Sequence, residues 1–123
     1  MTDQASLYAR LGGYDGISAV VGDLLPRLAA DEQLGRFWAN RGDDGIAREK
    51  QLLVDYLCAN AGGPLLYTGR DNQTSHKGMG ISSDDWSIFV SHLEQTLEHF
   101  CVPETEKADV LAFIDSTRTD IVE

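Results

Sequence analysis

Apolar positions recur along this chain at helical spacing, in blocks separated by glycine-rich joints. "SLYARLGG" reads as a short helical lead-in stopped at Gly12-Gly13. Ile17, Val20, Val21, Leu24, Leu25 and Leu28 then follow a helical period, with Pro26 late in the run and Gly22 four residues before it, where the ring would crowd the backbone. "DEQLGRFWANRGDDG" is a turn-rich connection carrying Phe37 and Trp38. A third helix is predicted from Ile46 to about Asn60, followed by the long Gly/Pro loop "AGGPLLYTGRDNQ" and a short turn around Thr74 to Lys77. The strongest helix comes next. Ser82 or Ser83 can cap it, Asp84 and Asp85 suit its first turn, and Trp86, Phe89, Val90, Leu93, Leu97 and Phe100 line one face. A last helix opens at Pro103 with Glu104 and Glu106, and presents Val110, Leu111, Ile114, Ile121 and Val122. There is no β alternation and no repeat. The expectation is one all-α domain over residues 1–123, built of five or six helices.

Composition narrows the classes. A chain of 123 residues with 42% hydrophobic content has room for one core. No apolar run approaches the roughly 18 residues of a membrane span. "MTDQASLYAR" has neither a basic start nor an apolar stretch, so a signal peptide is not expected and a cytoplasmic location is the default. The formal net charge of −10 argues against nucleic acid and against anionic membrane surfaces as partners. Cys58 and Cys101 form no C-x-x-C pair and are expected to be buried or half-buried free thiols, with an oxidised pair as the minor alternative.

Candidate chemistry is sparse. His76 sits alone in "DNQTSHKGMGIS", and the strongest apolar stripe of the chain begins ten residues later. A lone imidazole there is either a surface or capping residue, or the single axial ligand of a planar metal cofactor held against an apolar wall. His92 and His99 are expected at the surface, and their spacing does not match helical zinc sites. "GGPLLYTGR" lacks the G-K-[ST] of a phosphate loop, and the Arg-Gly-Asp of "RGDDG" reads as a turn. "REKQLLVDYL" is an amphipathic helix whose Arg48, Glu49, Lys50 and Gln51 are solvated, or whose Lys50 or Gln51 edges a pocket. On these residues alone, a cofactor-free helical interaction module remains the rival from another class.

Five segments in order nevertheless resemble the truncated haemoglobins, the two-over-two globins, and most closely group I. "LYARLGG" is similar to the family's opening motif and "LAADEQLGRFW" to its L-x-D-x-x-L-x-x-F-F segment. "GGPLLYTGR" is similar to its G-G-P-x-x-Y-x-G loop, "SHKGMGIS" to its proximal H-x-G-x-G-I segment, and "VPETE" to the start of its closing helix. The resemblance runs from about Leu7 to Val122. It implies a two-over-two helical sandwich around haem b (iron protoporphyrin IX), with His76 as the proximal iron ligand. Gly78 and Gly80 would turn the chain tightly before Ile81 packs on the porphyrin. Trp86, Phe89 and Leu93 would form the apolar wall, and Phe89 stands where groups II and III carry tryptophan. Phe37, Trp38 and the loop's Tyr67 would also touch haem.

On the distal side the chain departs from the family pattern. Leu25 stands where the family usually places a tyrosine, and Trp38 where a second phenylalanine is common. A neutral hydrogen bond to a bound gas is worth roughly 0.5–1.5 kcal/mol, and up to about 3 kcal/mol when charge-assisted. Without the hydroxyl, oxygen should leave faster unless another donor steps in. Two registers of the third helix are open. One matches "EKQ" to the family's K-Q and makes Gln51 the distal donor. The other, matched from the G-G-P side, puts Leu53 in the distal slot and Tyr56 and Leu57 against haem; Val54 of the same helix is a further candidate haem contact. Helical periodicity favours the second, because the first turns Asp55 inward. Lys50 is a candidate endogenous distal ligand, against the alternatives of a solvated lysine or one paired with a haem propionate. The implied function is reversible binding of dioxygen or another diatomic gas (O2, NO, CO), as in oxygen transport. Nitric oxide dioxygenation with an unidentified reductase, peroxidase-like side activity, and gas or redox sensing are the alternatives.

Overall fold

The computed structural model describes residues 6–38, 42–63 and 76–123. Six α-helices lie within them: α1 (Leu7–Arg10), α2 (Gly13–Ala30), α3 (Asp43–Asn60), α4 (Ser83–His99), α5 (Glu104–Ser116) and α6 (Arg118–Ile121), with a 3-10 turn at Gly35–Phe37. No strand occurs among the described residues. No helix among them is long and apolar enough to cross a membrane.

The expected α2 is present and runs through Pro26 to Ala30. Pro26 lies on the exposed side, where its missing amide and its ring cost the core nothing. The opposite face buries Ile17, Val21, Leu24, Leu25 and Leu28. These meet Val54 and Cys58 of α3, Trp86, Leu93 and Leu97 of α4, and Ile114 of α5 in one core. Each fully buried aliphatic side chain of this kind contributes roughly 1.5–3 kcal/mol. Helix α2 packs on both α3 and α4, and α4 packs on α5, so the α2–α3 pair meets the α4–α5 pair through α2 and α4.

Several boundaries differ from the pattern-based expectation. Helix α3 begins at Asp43, three residues before Ile46, with Gly42 as its N-cap. Ser82, not Ser83, caps α4, and it forms a full capping box with Asp85. Phe100 does not continue the apolar face of α4. It is the C-cap and is 40% exposed, because Cys101 adopts a left-handed φ of 55° and turns the chain away. The bonds Val102 N–H to Leu97 O (3.0 Å) and Cys101 N–H to Glu98 O (3.0 Å) complete this helix stop. The closing helix is broken at Thr117, whose hydroxyl donates to Ile114 O at 2.7 Å and competes with the helical ladder. Both cysteines are free. Cys58 is buried as expected, whereas Cys101 is exposed at the turn.

Candidate haem site

The proximal candidate, His76, opens a tight turn and is half-buried. Its carbonyl accepts from Met79 N–H at 3.1 Å. Gly78 and Gly80 follow at φ 84° and 70°, in the left-handed region where a side chain is strained. A Cβ at either would meet nothing within 4 Å, so backbone conformation and not crowding selects glycine there. Both amides point at one carboxylate. Glu123 Oε1 accepts from Gly78 N–H at 2.8 Å and Oε2 from Gly80 N–H at 2.6 Å, while Glu123 N–H donates to Ile81 O at 2.8 Å. The two amides hold the Glu123 carboxyl below the usual carboxylate range. Ile81 is half-buried.

Past this turn, α4 supplies Trp86 and Leu93, both buried, and Phe89, half-buried with its ring 5.4 Å from that of Trp86. Helices α3 and α4 each pack on α2 and make at most marginal contact with each other. Leu53 and Leu57 on α3, and Ile88 and Phe89 on α4, are thus large apolar side chains left half-covered. Leu57 shares an apolar cavity of about 70 Å³ with Leu97, Val110 and Phe113.

A larger cavity, about 280 Å³, lies between the second half of α2 and the first half of α3. Its walls are Gly22, Leu25, Pro26, Ala29, Trp38, Ile46, Ala47 and Lys50. Among the described residues, Lys50 is its one charged side chain. It lies over Gly22, where an added Cβ would come within 3.4 Å of Nζ. Gln51 is directed elsewhere. Its Nε2 donates to Tyr14 Oη at 2.8 Å and to Asp55 Oδ1 at 2.9 Å, along the seam of α2 and α3. Val54 is 1% exposed in the α2–α3 core. Tyr56 places its ring 5.9 Å from that of Phe113. Tyr67 lies outside the described residues.

Trp38 and Phe37 are fixed by a network that pattern reading overlooked. Asp85, 1% exposed, accepts from Arg36 Nη2 at 2.6 Å, Gln33 Nε2 at 2.6 Å and Ser82 N–H at 3.0 Å. The Arg36 guanidinium holds the Asp85 carboxyl well below the usual carboxylate range, with the Ser82 amide adding to the effect. The same guanidinium lies 4.2 Å over the Phe37 ring, and Phe37 meets Trp38 edge-on at 6.4 Å. The S-x-x-D spacing of Ser82 and Asp85 was the available signal, but it points only to a helix cap. His92 also departs from expectation. It is part-buried, with Nε2 2.8 Å from Asp31 Oδ2, because its helix face turns toward the end of α2. His99 is exposed as expected, with its ring against Phe100.

These residues fit a haem group. Half-covered apolar side chains on two diverging helices suit a flat apolar ring, and a half-buried imidazole on a glycine turn suits an axial ligand. Among the described residues no cluster of three or more His, Cys, Asp or Glu could hold a metal ion by itself, which leaves one imidazole as the donor set such a ring requires.

Comparison with known proteins agrees with this architecture. The family described as bacterial-like globin matches residues 6–123. A group 1 truncated haemoglobin, GlbN, of Mycolicibacterium paratuberculosis is 32% identical over 112 residues, covering 91% of this chain and 80% of that one. The ferric truncated haemoglobin of Tetrahymena pyriformis superposes with a TM-score of 0.87 at 25% identity, covering 96% of this chain and 98% of that one. The structure of Chlamydomonas reinhardtii THB1 gives a TM-score of 0.81 at 28% identity, covering 99% and 100%. Two helix pairs meeting through α2 and α4, a glycine turn after a lone histidine, and near-complete coverage by these relatives together make the chain a member of the bacterial-like globins, in the group 1 truncated haemoglobins.

Proposed function

We propose that this chain holds iron protoporphyrin IX between α3 and α4, with His76 as the proximal ligand, and binds a diatomic gas beside Leu25, Trp38 and Lys50. Haem-based binding of a diatomic gas follows from its family; the assignment of residues is our reading. Haem supplies a ferrous iron that takes up and releases such a gas. The protein's part is to hold the ring, exclude water and decide which groups meet the ligand. Phe89, Leu53 and Leu57 offer apolar contact to the ring, and a dry surround slows oxidation of the iron. Nε2 of His76 would hold the iron, and its Nδ1–H would donate to a nearby acceptor and set the ring's orientation.

The observation that carries the reading is the 280 Å³ cavity, walled by Leu25 where the family usually has a tyrosine and by the charged Lys50. Leu25 offers no hydroxyl to a bound gas. Gln51 commits its amide to Tyr14 and Asp55. Among the described residues, Lys50 and the Trp38 indole N–H are thus the polar side-chain groups of this cavity, with Lys50 acting either as a cation pairing with a haem propionate or, as the neutral amine, as a ligand to iron.

Absorption spectra of the ferric, ferrous and carbonyl forms test the reading. A Soret band that His76→Gly weakens, with loss of the histidine-bound ferrous spectrum, is the expected result. Unchanged haem affinity and iron spectrum in His76→Gly would sink the proximal assignment. A low-spin ferric spectrum abolished by Lys50→Ala marks coordination by lysine; a high-spin spectrum unaffected by it marks the propionate role.

A further inference from the structure

We propose that Glu123 is a positioning residue for the proximal histidine: its carboxylate latches the Gly78–Gly80 turn and so sets how the His76 ring is presented. The inference rests on His76 being the iron ligand. Three bonds join Glu123 to the segment that follows His76, two from the carboxylate (2.8 and 2.6 Å) and one from its own amide to Ile81 O (2.8 Å). Arg118 Nη2 adds a fourth tie between this end of the chain and Ser83 at 3.2 Å.

The chemistry asks for a carboxylate. Left-handed φ values at Gly78 and Gly80 turn two backbone N–H groups toward one concave face, an arrangement that binds an anion. Two oxygens on one group satisfy both donors at once. Glutamine has one oxygen and would set its NH2 against the other amide. Aspartate keeps both oxygens but is one methylene shorter. Without the latch, water satisfies these exposed amides at little cost to folding, but the turn no longer has a fixed relation to α6. Glycine is the residue least able to hold its own conformation, so the segment between His76 and α4 depends on an outside partner for its shape.

The test uses the haem-loaded protein. Compared with wild type, Glu123→Gln should lose haemin to an apoglobin acceptor about three- to tenfold faster, the size expected for losing one hydrogen bond at an exposed site. Its ferrous iron–histidine stretch in resonance Raman should shift or broaden. Thermal unfolding of the haem-free protein should be nearly unchanged. Asp115→Asn, which removes an exposed charge on α5, should match wild type in all three. An iron–histidine stretch and haemin loss identical to wild type in Glu123→Gln would overturn the latch. His76→Gly separates the two claims: if it keeps the iron–histidine stretch, the proximal assignment has failed, and if it abolishes the stretch while Glu123→Gln changes nothing, only the latch has.

Discussion

Arg36 and Asp85 join two walls of the candidate haem site through one guanidinium, bonded to the buried carboxylate at 2.6 Å and lying 4.2 Å over the Phe37 ring. The carboxylate belongs to the first turn of α4; the ring belongs to the 3-10 turn that leads to Trp38. Asp85→Asn keeps the shape but removes the charge that Arg36 pairs with and sets an NH2 where a buried oxygen accepted a hydrogen bond. The expected loss of stability is about 2 kcal/mol. Denaturant unfolding of the variant checks it, and a shift under 0.5 kcal/mol would show the network to be incidental.

Acid should dismantle the same network. The folded Asp85 carboxyl is held below its unfolded value by Arg36, and those of Asp23 and Asp31 are lowered by Arg27 and His92. Groups with depressed folded pKa values bind more protons when unfolded. Their stabilisation is complete above the unfolded value, about 4, and is lost as pH falls through that value toward the folded ones. Thermal unfolding of the haem-free protein should therefore be flat from neutrality to about pH 5 and fall steeply below about pH 4. Asp85→Asn should flatten part of that acid slope.

Leu25 walls the proposed distal cavity, and its side chain has no hydrogen-bond donor. Leu25→Tyr should place a hydroxyl there and slow dioxygen release by up to about tenfold, which is the effect of a neutral hydrogen bond of about 0.5–1.5 kcal/mol. Stopped-flow replacement of dioxygen by carbon monoxide measures the rate. No slowing would mean that this cavity is not where the gas binds.

Cys101 occupies a left-handed position that glycine fills without strain. Its side chain is exposed, so little packing is lost by removing it. Cys101→Gly should stabilise the protein by about 1 kcal/mol, seen as a melting temperature higher by roughly 3–6 °C. A lower melting temperature would mean that the thiol makes contacts that outweigh the strain.

Gly63 is a matter of space. A Cβ there would fall 2.5 Å from Tyr8 Cδ1 and 2.9 Å from Cys58 O. The Tyr8 ring could swing aside, but the Cys58 carbonyl already accepts from Gly63 N–H at 2.8 Å and cannot retreat without breaking that bond. Gly63→Ala should cost about 2 kcal/mol by overpacking the junction of α1 and α3. Unchanged denaturant unfolding would contradict this.

Much of this protein is legible in the residue order alone. Periodicity placed α2, α3 and α4, because an amphipathic helix writes its buried face at a fixed spacing. Ser82 and Ser83 both offered a cap, and five ordered motifs announced the family and, through it, the tight turn at Gly78 and Gly80. Other features joined residues distant in sequence, and no spacing rule reaches them. Asp85 meets Arg36 and Gln33 across about fifty residues, His92 meets Asp31, and Glu123 closes on Gly78 and Gly80. The register of α3 was open from the chain alone because matching "EKQ" put Gln51 in the distal slot, whereas matching from the G-G-P side put Leu53 there. Packing against α2 set Lys50 beside Leu25 and sent Gln51 to Tyr14. Local pattern fixes which face of a helix seeks the core, and only the docked helices decide which polar side chain at its edge looks into a pocket.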